Sequence, residues 1–184
     1  MATLPQLIEE DIEELNSALE DLLRSSEAHV ALLIYKGGFV ITQREQHGFR
    51  EQFDTTTIGA LSAASFAATE TIASLVSEKN FSSVYQQGET YSVLVLNVDE
   101  QSLLNVIFQG HISVGAVKYY ATETLKRITA QLQAAHRREP GTGLDLSLLN
   151  MADASPVFRK KKRDRKSTRL NSSHERLSRM PSSA

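Results

Sequence analysis

Asp54-Thr55-Thr56-Thr57-Ile58-Gly59-Ala60-Leu61, running on to Ser77-Glu78-Lys79-Asn80, is the stretch around which the chain is organised. It reads as one long helix. Asp54 or Thr55 is placed to cap its start by accepting from unpaired backbone N–H groups. Two faces of this helix are apolar. Ile58, Leu61, Ser65, Ala68, Ile72 and Leu75 recur at gaps of three and four, the spacing of a buried stripe. Beside them run Gly59, Ala63, Ala67 and Thr71, a row of small side chains. A helix lying on a sheet needs one such face, so the second suggests another packing partner. A second copy of the same helix is the favoured one. On this reading Ala63→Leu or Ala67→Leu breaks a dimer and leaves the single chain folded. The competing account is that the alanines simply favour helix formation.

Upstream, Leu4 to Ser26 reads as an amphipathic helix, with Ile8, Ile12, Leu15, Leu19 and Leu22 on one face and a solvated acidic face opposite. Ala28 to Tyr35 is a continuous apolar run of strand length, which suggests a strand covered on both sides. Gly37-Gly38 then marks a tight hairpin into Phe39–Gln43. Arg44 to Phe53 is polar and reads as a loop.

Downstream, Ser82–Gln87 is a short polar strand. Without charge or proline it is an unprotected edge, and pairing with a second copy would cover it. Tyr91–Val98 and Ser102–Phe108 are two strongly apolar strands. Ser113 opens a final helix whose buried stripe is Val114, Val117, Ala121, Leu125, Ile128 and Leu132. The order is helix, two strands, helix, three strands, helix. The hairpins make the sheet antiparallel, and strands covered on both faces need helices on both sides. The fold class is α+β.

Residues 1–135 form the expected domain, 136–158 a flexible extension and 159–184 a basic disordered tail. The extension carries a small apolar island, Leu144, Leu146, Leu148, Leu149 and Met151. It reads equally as a partner-docking segment and as a tail with a few leucines. Of the 184 residues, the body before Arg159 holds ten basic and twenty acidic side chains, whereas the tail is near +8. An acidic body argues against nucleic acid as a partner. The end of the tail, from Lys166, resembles translated adapter or vector read-through and is set aside from functional reasoning.

The chain has no Cys, which excludes disulfides and thiolate metal sites. Apolar runs are strand-length and the N-terminus lacks a signal pattern, so no membrane insertion and a cytoplasmic location are expected. There is no P-loop, no G-x-S-x-G elbow and no H-E-x-x-H, and the histidines are scattered. No catalytic residue, metal or cofactor is assigned, and the chain is not expected to be an enzyme.

Four features in order resemble the roadblock/dynein light-chain family, and within it the bacterial MglB-like GTPase regulators. These are the Gly37-Gly38 hairpin, the small-residue helix with Ala63 and Ala67, Glu78-Lys79-Asn80-Phe81, and Ser113-Val114-Gly115-Ala116-Val117. The match runs from about Leu7 to Leu132. The resemblance implies a five-stranded antiparallel sheet with one helix on one face and two on the other. It implies a homodimer joined through the central helix and third strand. The implied partner is a small Ras-like GTPase of the MglA type, whose hydrolysis would be stimulated by repositioning its own switch regions rather than by an inserted arginine. Thr56, Gly59, Ala60, Ala63 and Ala67, with Val84 and Tyr85 on the edge strand, are the implied interface residues for the dimer, the GTPase or both. The alternatives are a scaffold of the same fold and a small-ligand sensor of PAS-like or longin-like build. Asn97 and Asn105 are the polar residues a sensor could turn toward a pocket.

Overall fold

A computed structural model of the chain describes residues 7–49 and 51–138. The elements are α1 (Glu9–Ser26), β1 (Val30–Tyr35), β2 (Val40–Glu45), α2 (Thr55–Leu75), β3 (Ser83–Gln86), β4 (Tyr91–Asn97), β5 (Ser102–Gln109) and α3 (Val114–His136). The strands form one antiparallel sheet in the order β2-β1-β5-β4-β3. The apolar runs of β1 and β5 therefore lie at its centre, sealed on both sides.

Strand periodicity sorts the core into two layers. Ala31, Leu33, Leu94, Leu104, Val106 and Phe108 face α1 and α3. Val30, Leu32, Ile34, Val95, Leu103 and Ile107 face α2. One helix thus covers one face and two cover the other, as the resemblance implies. The layers are unequally anchored. Burying a leucine or phenylalanine contributes roughly 1.5–3 kcal/mol. Helix α1 sinks Leu15, Leu19, Leu22 and Leu23, whereas α2 sinks Phe66 together with Gly59, Ser62, Ala63 and Ala73. Helix α2 is the more weakly held.

Helix boundaries shift slightly from the pattern. Helix α1 starts at Glu9 because Ile8 is extended and its N–H donates to Asp11 Oδ2 at 2.9 Å. Asp54 caps α2, accepting from the Thr57 N–H at 3.0 Å and its hydroxyl at 2.8 Å. Those two bonds hold the Asp54 carboxyl below its ordinary range. At the far end Ser77 takes φ +60° and the Glu78 N–H returns to the Ala73 carbonyl, so the helix stops at Leu75 rather than near Lys79. Gly38 turns the hairpin with φ +97°, and its open side lies against the backbone of Ala60.

The two edges of the sheet differ. On β2, Val40 pairs with Ile34 and Thr42 with Leu33, so Ile41 is an extra residue, a bulge. Arg44 on the same strand reaches Glu20 of α1 at 2.8 Å. Strand β3 has regular pairing to β4 and neither device.

Against the expectation from run length, α2 has the length and mean hydropathy, 21 residues and 1.2, of a helix able to cross a membrane. Its average is raised by alanines and by apolar residues on both faces. One of those faces packs on the sheet.

The start of α1 is clamped to the end of α3. Asp11 is fully buried, and its carboxylate accepts from the Ile8 N–H, from Gln131 Nε2 at 2.6 Å and from both terminal nitrogens of Arg138. Burial alone would raise its pKa, but the Arg138, Ile8 and Gln131 hydrogen bonds outweigh it and hold the carboxyl below the ordinary range. A carboxyl with a depressed folded pKa gives stability above its unfolded pKa, about 3.9, and loses it as pH falls through the folded value. The cost of Asp11→Asn is therefore expected to be largest near neutral pH and to shrink toward pH 3. Urea midpoints of both proteins at pH 7 and pH 3 measure this, and a pH-independent gap would refute it.

Candidate functional site

Among the described residues, the outer face of α2 is apolar and uncovered. Leu61 is 64% exposed, Ile72 52%, Leu75 79% and the following Val76 58%. Ala64, Ala67 and Ala68 are exposed between them. Leu61, Ala68, Ile72 and Leu75 share one side at helical spacing. A contiguous exposed apolar stripe of this kind marks an interaction surface.

The two faces of α2 are thus partly exchanged relative to those read from the periodicity. Leu61, Ala68, Ile72 and Leu75 of the large stripe point out while Ile58 packs in the α2 layer, and Gly59 and Ala63 of the small row point in while Ala67 and Thr71 are exposed. A Cβ on Gly59 would stand 2.9 Å from Val40 Cγ2, so the absent side chain lets the helix approach the sheet. Ala63 is 5% exposed and packs in the α2 layer. Neither residue is available to a partner. Ala63→Leu would therefore strain the subunit itself, by roughly 1–3 kcal/mol of overpacking. Thr56 and Ala67 are exposed and Ala60 is half-buried. Both faces carry apolar residues, so periodicity alone could not order them. Tight approach to Val40 and Ile34 decides it.

Polar contacts register α2 on the sheet. Asn105 Nδ2 on β5 donates to Ser62 Oγ at 2.6 Å, and both side chains are buried. This is neither cross-strand pairing nor a pocket residue. Lys36 Nζ donates to Glu70 Oε1 at 2.8 Å and lies 5.3 Å above the centre of the Phe66 ring.

Strand β3 borders this surface. Val84 turns to the α2 side and Tyr85 to the other, where its ring stacks on Phe108 at 6.2 Å. The Tyr85 side chain is thereby committed within the subunit, and what β3 offers outward is a backbone edge that no described residue pairs with.

The polar loop before α2 carries an aromatic cluster that the sequence reading missed. Phe49 meets the His29 ring edge-on at 5.0 Å, and Phe53 meets Tyr91 at 5.3 Å. Two phenylalanines four apart in an otherwise polar loop were the available signal. The cluster pins the loop to the sheet and fixes where α2 begins. Leu144, Leu146, Leu148, Leu149 and Met151 lie outside the described residues.

No protein-family model and no curated protein matches the chain. Solved structures do. The gliding protein MglB of Thermus thermophilus superposes with a TM-score of 0.68 at 27% identity, covering 73% of this chain and 100% of that one. A second MglB, in a tetrameric arrangement, matches with a TM-score of 0.68 at 27% identity, covering 73% and 99%. A roadblock/LC7 domain from Streptomyces avermitilis gives 0.57 at 12% identity, covering 64% and 97%. A helix on one face, two on the other and the strand order β2-β1-β5-β4-β3 make this chain a roadblock/LC7-fold protein similar to MglB.

Proposed function

We propose that the chain is a homodimeric, non-enzymatic regulator acting in the cytoplasm, which binds a small Ras-like GTPase of the MglA type. The observation that carries this reading is the uncovered stripe Leu61–Ile72–Leu75 beside the open edge of β3, in a fold similar to MglB. Two copies related by a two-fold axis would pack α2 on α2 and pair β3 with β3, burying the stripe and satisfying the edge. The tetrameric arrangement of one similar MglB supports self-association as the mode of assembly. The paired helices then form one composite platform, on which the GTPase rests with its switch regions held in a hydrolysis-competent arrangement. No arginine of the body is assigned to the reaction.

The test is size-exclusion chromatography with light scattering on the full chain, alone and with a small GTPase of this type loaded with GDP or a GTP analogue. A dimer that captures the GTP-analogue form supports the regulator, and hydrolysis rates then measure stimulation. A dimer that captures neither form replaces this reading with that of a scaffold.

A further inference from the structure

The hydrogen-bond pattern of β3 dictates how a second copy can meet it. In an antiparallel pair, successive residues direct their backbone groups alternately toward and away from the neighbouring strand. The Asn97 N–H donates to the Ser82 carbonyl at 3.0 Å, so Ser82 turns its backbone toward β4. Ser83 pairs with Leu96, Val84 with Val95, Tyr85 with Leu94 and Gln86 with Val93. By the same alternation Val84 and Gln86 also spend their N–H and C=O groups on β4. The far side of β4 agrees. There the Gly110 N–H donates to the Thr90 carbonyl at 2.8 Å, so the even-numbered residues of β4 serve β5 and the odd-numbered ones serve β3. The outward groups of β3 are therefore the N–H and C=O of Ser83 and of Tyr85, and no described residue takes them.

These groups satisfy one another under a single symmetry. With a two-fold axis perpendicular to the sheet at Val84, Ser83 lies opposite the second copy's Tyr85, and Tyr85 opposite its Ser83. Each such pair exchanges both of its hydrogen bonds, so every outward group of both strands is used. An axis at Tyr85 bonds the two tyrosines and leaves each Ser83 facing Gln87, which lies beyond the strand. An axis at Ser83 leaves each Tyr85 facing Phe81, beyond the other end. The side chains select the same axis. Val84 belongs to the α2 layer, where it and Val93 stay half-buried in the single copy. An axis at Val84 sets the two valines side by side as a non-hydrogen-bonded pair, the closer of the two kinds. Each copy's open layer is then completed by the other's valine. On the opposite face the small Ser83 sits beside Tyr85, whose ring is already stacked on Phe108.

We propose that two copies join β3 to β3 about a two-fold axis at Val84, with Ser83 and Tyr85 exchanging backbone hydrogen bonds across it and the paired valines closing the α2 layer. This rests on the dimer reading above and fixes its register; it is independent of the GTPase. The absence of cysteine makes the register readable. Residues opposite one another in a non-hydrogen-bonded pair have Cα atoms about 4.5 Å apart, within disulfide reach. In the full chain, Val84→Cys is therefore expected to give a disulfide-linked dimer on mild oxidation, seen by non-reducing gel. Ser83→Cys alone and Tyr85→Cys alone should link at least about tenfold more slowly, because equivalent residues there are diagonal neighbours roughly 7–8 Å apart. The unsubstituted chain supplies a second measurement. At concentrations where light scattering shows a dimer, the amides of Ser83 and Tyr85 should exchange about tenfold or more slowly than in the dilute monomer, and that of Gln87 should not change. A dimer that links faster through Ser83→Cys or Tyr85→Cys, or whose Ser83 and Tyr85 amides gain no protection, overturns the register and leaves the dimer standing. A parent chain that is monomeric at every concentration overturns both.

Discussion

Replacing Ile72 and Leu75 together by glutamate is expected to leave a folded monomer in place of the dimer proposed for the parent chain. Both side chains are more than half exposed in the single subunit, so their loss removes little of its own packing. In a two-fold interface each change occurs twice, and the four new carboxylates face apolar surface or one another. Truncating a central interface residue typically costs about 2 kcal/mol or more, so two such sites should weaken the dimer about 10³-fold or more. Light scattering across a concentration series measures this, with Lys118→Glu on α3 as a single-charge control expected to have no effect. The GTPase complex should be lost with the dimer. A double variant that stays dimeric at low micromolar concentration would remove the α2 face from the assembly.

Phe66→Ala is expected to be the most damaging single change within the α2 layer, at roughly 3–5 kcal/mol. Phe66 is 1% exposed and is the one large side chain that α2 buries. Its removal leaves a cavity under Lys36, which loses the ring beneath its ammonium group. Against a typical stability of about 5–15 kcal/mol this is a large fraction. The loss should also be local. Helices α1 and α3 have their own core, so amides of α2 should exchange by opening that leaves the α1–α3 layer protected. Urea unfolding with site-resolved hydrogen exchange reads both effects. A loss below about 1 kcal/mol, or exchange that rises equally everywhere, would contradict the unequal anchoring of the layers.

The elements were legible in the sequence because each carries its own local signal. The apolar runs of β1, β4 and β5, the Gly37-Gly38 turn and the 3.6-residue stripe of α3 all sit within a residue or two of their predicted places. The site was only half legible. Periodicity finds faces but does not say which face turns inward when both are apolar. On α2 the answer lies in a tertiary fact, the 2.9 Å that separates a Cβ on Gly59 from Val40. The small row of Gly59 and Ala63 was accordingly assigned to a partner when it serves the sheet. The Asn105–Ser62 bond joins residues 43 positions apart, and no local pattern announces it. His29 has no sequence neighbour that explains it, and finds its contacts in Phe49 and Tyr91.

The bulge at Ile41 bears on how large an assembly of these chains can grow. A sheet with two open edges is a monomer for an endless ribbon, since each added copy presents a fresh edge. Here one edge is interrupted by an extra residue and by Arg44 tied down to Glu20, and only β3 keeps a regular ladder. Joining β3 to β3 consumes the one extendable edge of both copies and leaves two blunted ends. Growth along the sheet then terminates at one continuous sheet built from the five strands of each of two copies, and anything larger must stack pairs through helices instead.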